Sequence, residues 1–187
     1  MLLAPIAARR SPRAFDPLHV LGDSDLHPLL EAARWAPSAM NRQPWAFLVG
    51  YRGDETFKAT ADALKPGNQL WARSAAALLT VLVDQEDGAS ASPMRAYEVG
   101  LAVGQLGIQA EHQGLITHQM AGFERDQLLA EFALPARLHP LVVIAVGRPG
   151  DADSLPEDLR NREFAPRRRR PISELVFTGE PWRPNDV

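Results

Sequence analysis

The sequence predicts an α+β protein, and three observations carry that reading. Two continuous apolar runs of strand length, Ala75–Val83 and Leu141–Gly147, read as buried strands. Helical and strand patterns mix along the chain without the strict alternation that a doubly wound parallel sheet requires. With 187 residues, 45% of them apolar and 23% charged, the chain has the length and composition of one domain with a real core.

The elements follow in order. Residues 1–14 read as a short helix or arm ending in RRSPR. Ser24 stands where it would cap a helix over 25–36, whose Leu26, Leu29, Leu30 and Ala33 share one face. Pro37 stops that helix. Ala46–Tyr51 reads as a strand, and a helical stretch over 54–64 ends at Pro66-Gly67. After the first buried strand, residues 94–113 form the longest predicted helix. Leu115–Gly122 reads as a loop or strand and 124–133 as a short helix, before the second buried strand. The remainder is rich in Pro and Arg, with one apolar segment at Ile172–Phe177. In the long helix, Gly100, Gly104 and Gly107 fall on one face. Each costs roughly 1 kcal/mol relative to Ala, so something approaches that stripe closely: the protein's own packing, a helix of a second subunit, or a flat ligand.

Bulk properties exclude several classes. The net charge of −3 supplies no global field toward nucleic acid or membrane. No apolar run approaches membrane-spanning length. The N-terminal charges follow the apolar stretch instead of preceding it, the reverse of a secretory leader. The absence of cysteine removes disulfides, thiolate metal sites and Cys nucleophiles, and suits a cytoplasmic protein. His19, His27, His112, His118 and His139 form no HExxH face, so no metal site is expected. GxGxxG, GxxxxGK[ST] and GxSxG are all missing. Acidic pairs such as Asp23/Asp25 and Glu86/Asp87 read as cap and turn chemistry. With no nucleophile or acid–base set, an enzymatic reading needs a cofactor to carry the chemistry.

Two local features point to that cofactor. Between a helix and a strand lies Ala36-Pro37-Ser38-Ala39-Met40-Asn41-Arg42-Gln43-Pro44-Trp45, stiffened by two prolines and rich in polar side chains. Such a loop suits holding a flat heteroaromatic ligand, although Trp45 begins a strand and reads as core. Arg9, Arg10 and Arg13 form one basic cluster; Arg160, Arg162 and Arg167 to Arg170 form another, diluted only by Glu163. Arginine is the planar, bidentate binder of phosphate. Solvated basic stretches or a polyanion-binding patch are the competing explanations, but no helix-turn-helix, zinc finger or aromatic RNP pattern accompanies them. A stiff ring-holding loop with two arginine clusters implies a phosphorylated aromatic cofactor, and FMN fits.

The same residues resemble the nitroreductase family of FMN-dependent oxidoreductases. Arg9-Arg10-Ser11-Pro12-Arg13-Ala14-Phe15 is similar to that family's RRSxRxF, and APSAMNRQPW to its APSxxNxQPW. Gly67-Asn68-Gln69-Leu70-Trp71, the helix EVGLAVGQLGIQAEHQGL from Glu98 to Leu115, and Met120-Ala121-Gly122-Phe123 resemble further elements in the same order. LVVIAVGRP from Leu141 to Pro149 and RRRRPISELV from Arg167 to Val176 complete the set. The resemblance covers nearly the whole chain.

It implies a single domain over 1–187, with a three-layer arrangement of helices on a mixed sheet. It further implies an intertwined homodimer in which a C-terminal arm, residues 172–187, reaches the partner subunit. Arg9, Arg10, Ser11, Arg168 and Arg170 would hold the FMN phosphate and ribityl chain. Arg13 would lie by the N1/C2 edge of the ring, Asn68 on its pyrimidine edge, and Ala121 with Gly122 opposite N5. Pro37, Ser38, Ala39 and Asn41 would cover the ring from the other subunit. Capping or turn roles compete for Ser11 and Ser38. No side chain would be catalytic: NAD(P)H would reduce the flavin, which would then reduce a nitroaromatic, quinone or similar small-molecule acceptor. The resemblance also accommodates flavin-fragmenting or dehalogenating relatives. The chain departs from the pattern at Ala39, where a second Ser is common, at Ser74-Ala75 and at Gly104-Gln105. Its short 150–166 segment leaves no room for a large lid, which bears on substrate choice.

Overall fold

The computed structural model describes residues 1–85, 92–176 and 179. In order they form α1 (Ala4–Ala8), α2 (Asp23–Arg34), β1 (Trp45–Tyr51), α3 (Glu55–Asp62), α4 (Pro66–Ala72), β2 (Ala77–Asp84) and α5 (Pro93–His112). Then come β3 (Ile116–Met120), α6 (Arg125–Glu131), β4 (Leu138–Gly147) and α7 (Glu157–Phe164). Single helical turns lie at Ala39–Asn41, Ala152–Ser154 and Ile172–Glu174.

The four strands make one sheet in the order β1-β2-β4-β3. β2 and β4 are the strands read from continuous apolar runs, and both occupy the centre, where each face must be covered. On β2, Leu79, Val81 and Val83 point to one side and Leu78 to the other, as the two-residue period dictates. The first side packs on Leu26, Leu29 and Ala33 of α2 and on Val99, Val103 and Leu106 of α5. The second packs on Phe57 of α3, Trp71 of α4, Leu128 of α6 and Leu159 of α7. The result is the expected three layers, with an apolar core on each face of the sheet.

Several details differ from the sequence reading. Every pairing among the described strands is antiparallel, so the parallel part of a mixed sheet is not found there. Ser24 does not cap α2. Gly22 occupies the cap, its N–H donating to Asp25 Oδ2 at 3.0 Å, because the carboxylate reaches back from the third helical position. Pro66-Gly67 opens α4 instead of closing a helix, since proline's missing N–H costs nothing in a first turn. α7 lies in the stretch read only as rich in Pro and Arg; only its Leu159 is buried, which leaves no apolar periodicity to detect. Of the C-terminal arm, residues 177–178 and 180–187 lie outside the described residues. Trp45 is half-buried against the α2/α5 core, as a strand residue should be.

Candidate functional site: an anion cradle beside a strained loop

The basic N-terminal segment is held in place through its C-terminal neighbours, Ala14 to Asp16. Phe15 is buried and bridges to Pro149 just beyond β4; Asp16 N donates to the Arg148 carbonyl at 3.0 Å and Gly150 N to the Ala14 carbonyl at 2.9 Å. A side chain at Gly150 would lie 2.4 Å from the Phe15 carbonyl carbon, so only glycine permits this approach. The strand end thereby anchors Ala14–Asp16, and residues 9–13 run back from that anchor.

Against them lies the second basic cluster. Arg167 donates through Nη1 to the Arg9 carbonyl at 2.6 Å and through Nη2 to the Ala7 carbonyl, while Arg10 Nη2 donates to the Ala165 carbonyl at 2.6 Å. These charge-assisted bonds clasp two segments far apart in sequence. Between them opens a cavity of about 320 Å³ lined by Arg9, Arg10, Ser11, Arg162, Arg168 and Arg169, among others. Its wall includes one carboxylate, Glu163, which accepts from Arg13 N at 2.9 Å and stands 3.5 Å from Arg13 Nη1. Among the described residues, Arg168 and Arg170 make no side-chain ion pair, and Arg170 does not line the cavity. Surplus fixed positive charge round a polar cavity suits a phosphate group. Because Arg10 and Arg167 are committed to the chain's own carbonyls, the surface is less open to an extended polyanion than the sequence count implies.

A second part of the predicted site forms at the far end of β3. Asn68, in the first turn of α4, donates through Nδ2 to the Gly122 carbonyl at 3.1 Å, and Lys65 N donates to the same oxygen at 3.0 Å. A Cβ at Gly122 would sit 3.1 Å from Asn68 Nδ2, so glycine lets strand end and helix start meet. Ala121 beside it is exposed. β3 links this corner to the arginine cradle. His118, in the middle of β3, has its Nδ1 2.9 Å from the Pro12 carbonyl, and Gly122 lies four residues further along the chain, two past the strand's end.

The loop after α2 is strained. Met40, Asn41 and Gln43 adopt φ of 55°, 55° and 50°, left-handed values that non-glycine residues avoid. Such residues cost of order 1–3 kcal/mol each and need bracing. Glu98 on α5, 5% exposed, accepts from Ala39 N at 2.9 Å. Ser38 Oγ accepts from Gln43 N at 3.0 Å, so this hydroxyl has the turn-bracing role that competed with ligand contact. The outer surface of the loop stays exposed, with Met40 at 86%. Pro37, Trp35 and Arg9 share an apolar cavity of about 750 Å³ with Gly100, Leu101, Gly104 and Ile108 of α5. A Cβ at Gly100 or Gly104 would meet nothing within 4 Å, whereas at Gly107 it would meet Thr117 Oγ1 and Arg9 Cδ. The glycine stripe therefore divides: Gly107 serves packing inside the protein, and Gly100 and Gly104 face open space.

Burial holds the His118 imidazole below its ordinary pKa, and the Arg13 cation acts in the same direction; the Pro12 carbonyl and Glu163 oppose them. The ring rests on Trp71 with centroids 4.4 Å apart, and Trp71 stacks on Phe15 at 6.1 Å. Sequence reasoning missed both His118 and Glu163 as site residues. A single acid inside a run of arginines was the one available signal, and nothing marked the histidine.

Fold and site together define an α+β protein with an arginine-lined cavity whose N-terminal wall is tied to the middle of β3, and a polar corner just past that strand's end. The nitroreductase family model matches residues 6–64, which span the first arginine cluster and the strained loop. A Mycolicibacterium smegmatis protein known by its position, a 15.4 kDa protein in the ask 5′ region, is 37% identical over 141 residues, 71% of this chain and 95% of that protein. A solved oxidoreductase containing FMN is 31% identical, with a TM-score of 0.88 over 96% of this chain and 92% of its own. A Desulfovibrio desulfuricans protein solved in complex with FMN is 28% identical, with a TM-score of 0.75 over 96% of each chain. The chain belongs to the nitroreductase family.

Proposed function

We propose that this protein is an FMN-dependent oxidoreductase, working as a homodimer, that takes electrons from NAD(P)H and passes them to a nitroaromatic, quinone or similar electrophile. The observation that carries the reading is the pairing, along β3, of the arginine cradle with the Asn68–Gly122 corner. The cradle supplies cations for a phosphate; the corner supplies a side-chain amide and exposed backbone for the edge of a ring. The donor set therefore fits FMN. When bound, FMN supplies the two-electron chemistry that no side chain here provides.

In this reading Arg9, Arg10, Ser11 and Arg168, which line the cavity, bind the phosphate and ribityl chain, and Arg170 would join them only by turning in from outside it, with bidentate geometry favouring Arg over Lys. Arg13, oriented by Glu163, places positive charge toward the N1/C2 edge, where it favours the reduced, anionic state of the ring. Asn68 hydrogen-bonds the pyrimidine edge. Gly122 leaves the Ala121–Gly122 backbone able to approach N5. Pro37, Ser38, Ala39 and Asn41 cover the ring of the partner's site. The strained turn holds them in one conformation, so little ordering remains to be done on binding. The apolar cavity along Gly100 and Gly104, with Trp35 72% exposed at its edge, supports seating a second copy there.

The direct test is the visible spectrum of the purified protein before and after addition of FMN, followed by nicotinamide oxidation with a nitroaromatic or quinone acceptor. The expected result is a yellow protein that oxidises NADH or NADPH when an acceptor is present. A colourless protein that takes up no FMN overturns the proposal. Slow turnover accompanied by loss of the flavin spectrum would assign the chain to flavin-fragmenting chemistry instead.

A further inference from the structure

Residues 9–13 carry most of the N-terminal cradle yet belong to no helix or strand. Their shape is therefore set from outside. Phe15 supplies one anchor at the end of β4, and Glu163 on α7 supplies another by accepting from Arg13 N at 2.9 Å. The same Pro12–Arg13 peptide is held from its other side as well. The Pro12 carbonyl faces His118 Nδ1 at 2.9 Å, and because a carbonyl can only accept, Nδ1 must carry the hydrogen. The ring cannot turn freely away, since it is tilted against Trp71, which is 2% exposed and stacked on Phe15. Pro12 and Phe15, on either side of Arg13, are thus referred to the same aromatic pile. His118 does not line the cradle cavity.

We infer that His118 is a positioning residue for the anion cradle: its Nδ1–H fixes the Pro12–Arg13 peptide, and so sets how tightly the preceding Arg9, Arg10 and Ser11 grip a phosphate. The inference rests on the reading of the ligand as FMN. Two substitutions separate the hydrogen bond from the packing. His118→Phe keeps an aromatic ring against Trp71 and removes the donor. His118→Asn removes the ring but places an N–H at the same bond separation from the backbone.

The experiment titrates FMN and riboflavin, which differ by the phosphate alone, into flavin-free protein and compares the two dissociation constants. In His118→Phe the preference for FMN over riboflavin should fall about fivefold to tenfold, the worth of one lost neutral hydrogen bond, while His118→Asn should stay within about twofold of the wild-type protein. Riboflavin affinity should fall less than FMN affinity in His118→Phe, since riboflavin meets the same segment only through its ring and ribityl chain. A preference unchanged in His118→Phe, or lost equally in His118→Asn, overturns the inference, since packing would then explain the residue. Should His118→Phe not fold, His118→Met fills the space without a donor and is read the same way. A wild-type protein that binds FMN no better than riboflavin defeats the reading of the cradle as a phosphate site, and this inference with it. That outcome is visible before any variant is made.

Discussion

His118 donates through Nδ1 to Pro12, and burial keeps its pKa below the ordinary imidazole value of 6.5. In the unfolded chain the same ring regains that ordinary value and takes up a proton first as the medium is acidified. The unfolded state then holds more protons than the folded one, so stability rises with pH across this window. The contribution is full above about pH 6.5 and drains away as pH falls toward the depressed folded value. Urea unfolding of the wild type and His118→Phe at about pH 7.5 and about pH 5 tests this. The wild type should lose more stability on acidification than the variant does. His19, also held low by burial, is present in both proteins and cancels from the comparison. Equal acid losses in the two proteins would show that His118 titrates alike in the folded and unfolded states.

Among the elements, α6 ends on a residue poorly matched to its conformation. Ala133 has φ of 44° just past the helix, where Leu134 N donates to the Leu129 carbonyl at 3.1 Å and Ala133 N to the Ala130 carbonyl at 3.3 Å. This paired closure calls for glycine. The left-handed penalty on Ala exceeds the extra entropy that Gly loses on folding, so Ala133→Gly should stabilise the protein by about 1 kcal/mol. The urea midpoint should rise with an unchanged slope; a lower midpoint would refute the assignment. Legibility also varied by element. β2 and β4 were readable because central strands, covered on both faces, are apolar along nearly all their length. α4 was not, because a Pro-Gly pair punctuates both ends and beginnings of helices. α7 was not, because a helix with one buried residue has no stripe. At the site, the arginines were visible as charge without counter-charge, and Gly122 and Asn68 through the resemblance. His118 and Glu163 escaped because their meaning depends on contacts 106 and 150 residues away in sequence.

For the whole molecule, the open side of α5 decides the outcome. Gly100 and Gly104 have empty space where a side chain would project, so the protomer alone gives no reason for glycine there. Gly104→Leu should be accommodated within one chain and even favour its helix by roughly 0.5–1 kcal/mol. If a second copy seats on this face, the added side chain instead holds the two apart. Size exclusion should then show half the wild-type mass, with loss of bound FMN, because Pro37 to Asn41 would no longer cover the partner's site. A Gly104→Leu protein that remains dimeric and fully loaded would place the subunit contact elsewhere.

The clasp of Arg167 on Ala7 and Arg9 has a consequence for the order in which the molecule is made. Arg167 stands 158 residues beyond Arg9, after every strand of the sheet. At ordinary rates of translation that interval lasts roughly ten to thirty seconds, and β4, which both cores need, and Leu159 of the second core are made only near its end, just before the cradle's second wall. The nascent chain therefore gains the last pieces of its scaffold and the second wall of its cradle almost together, late in its synthesis.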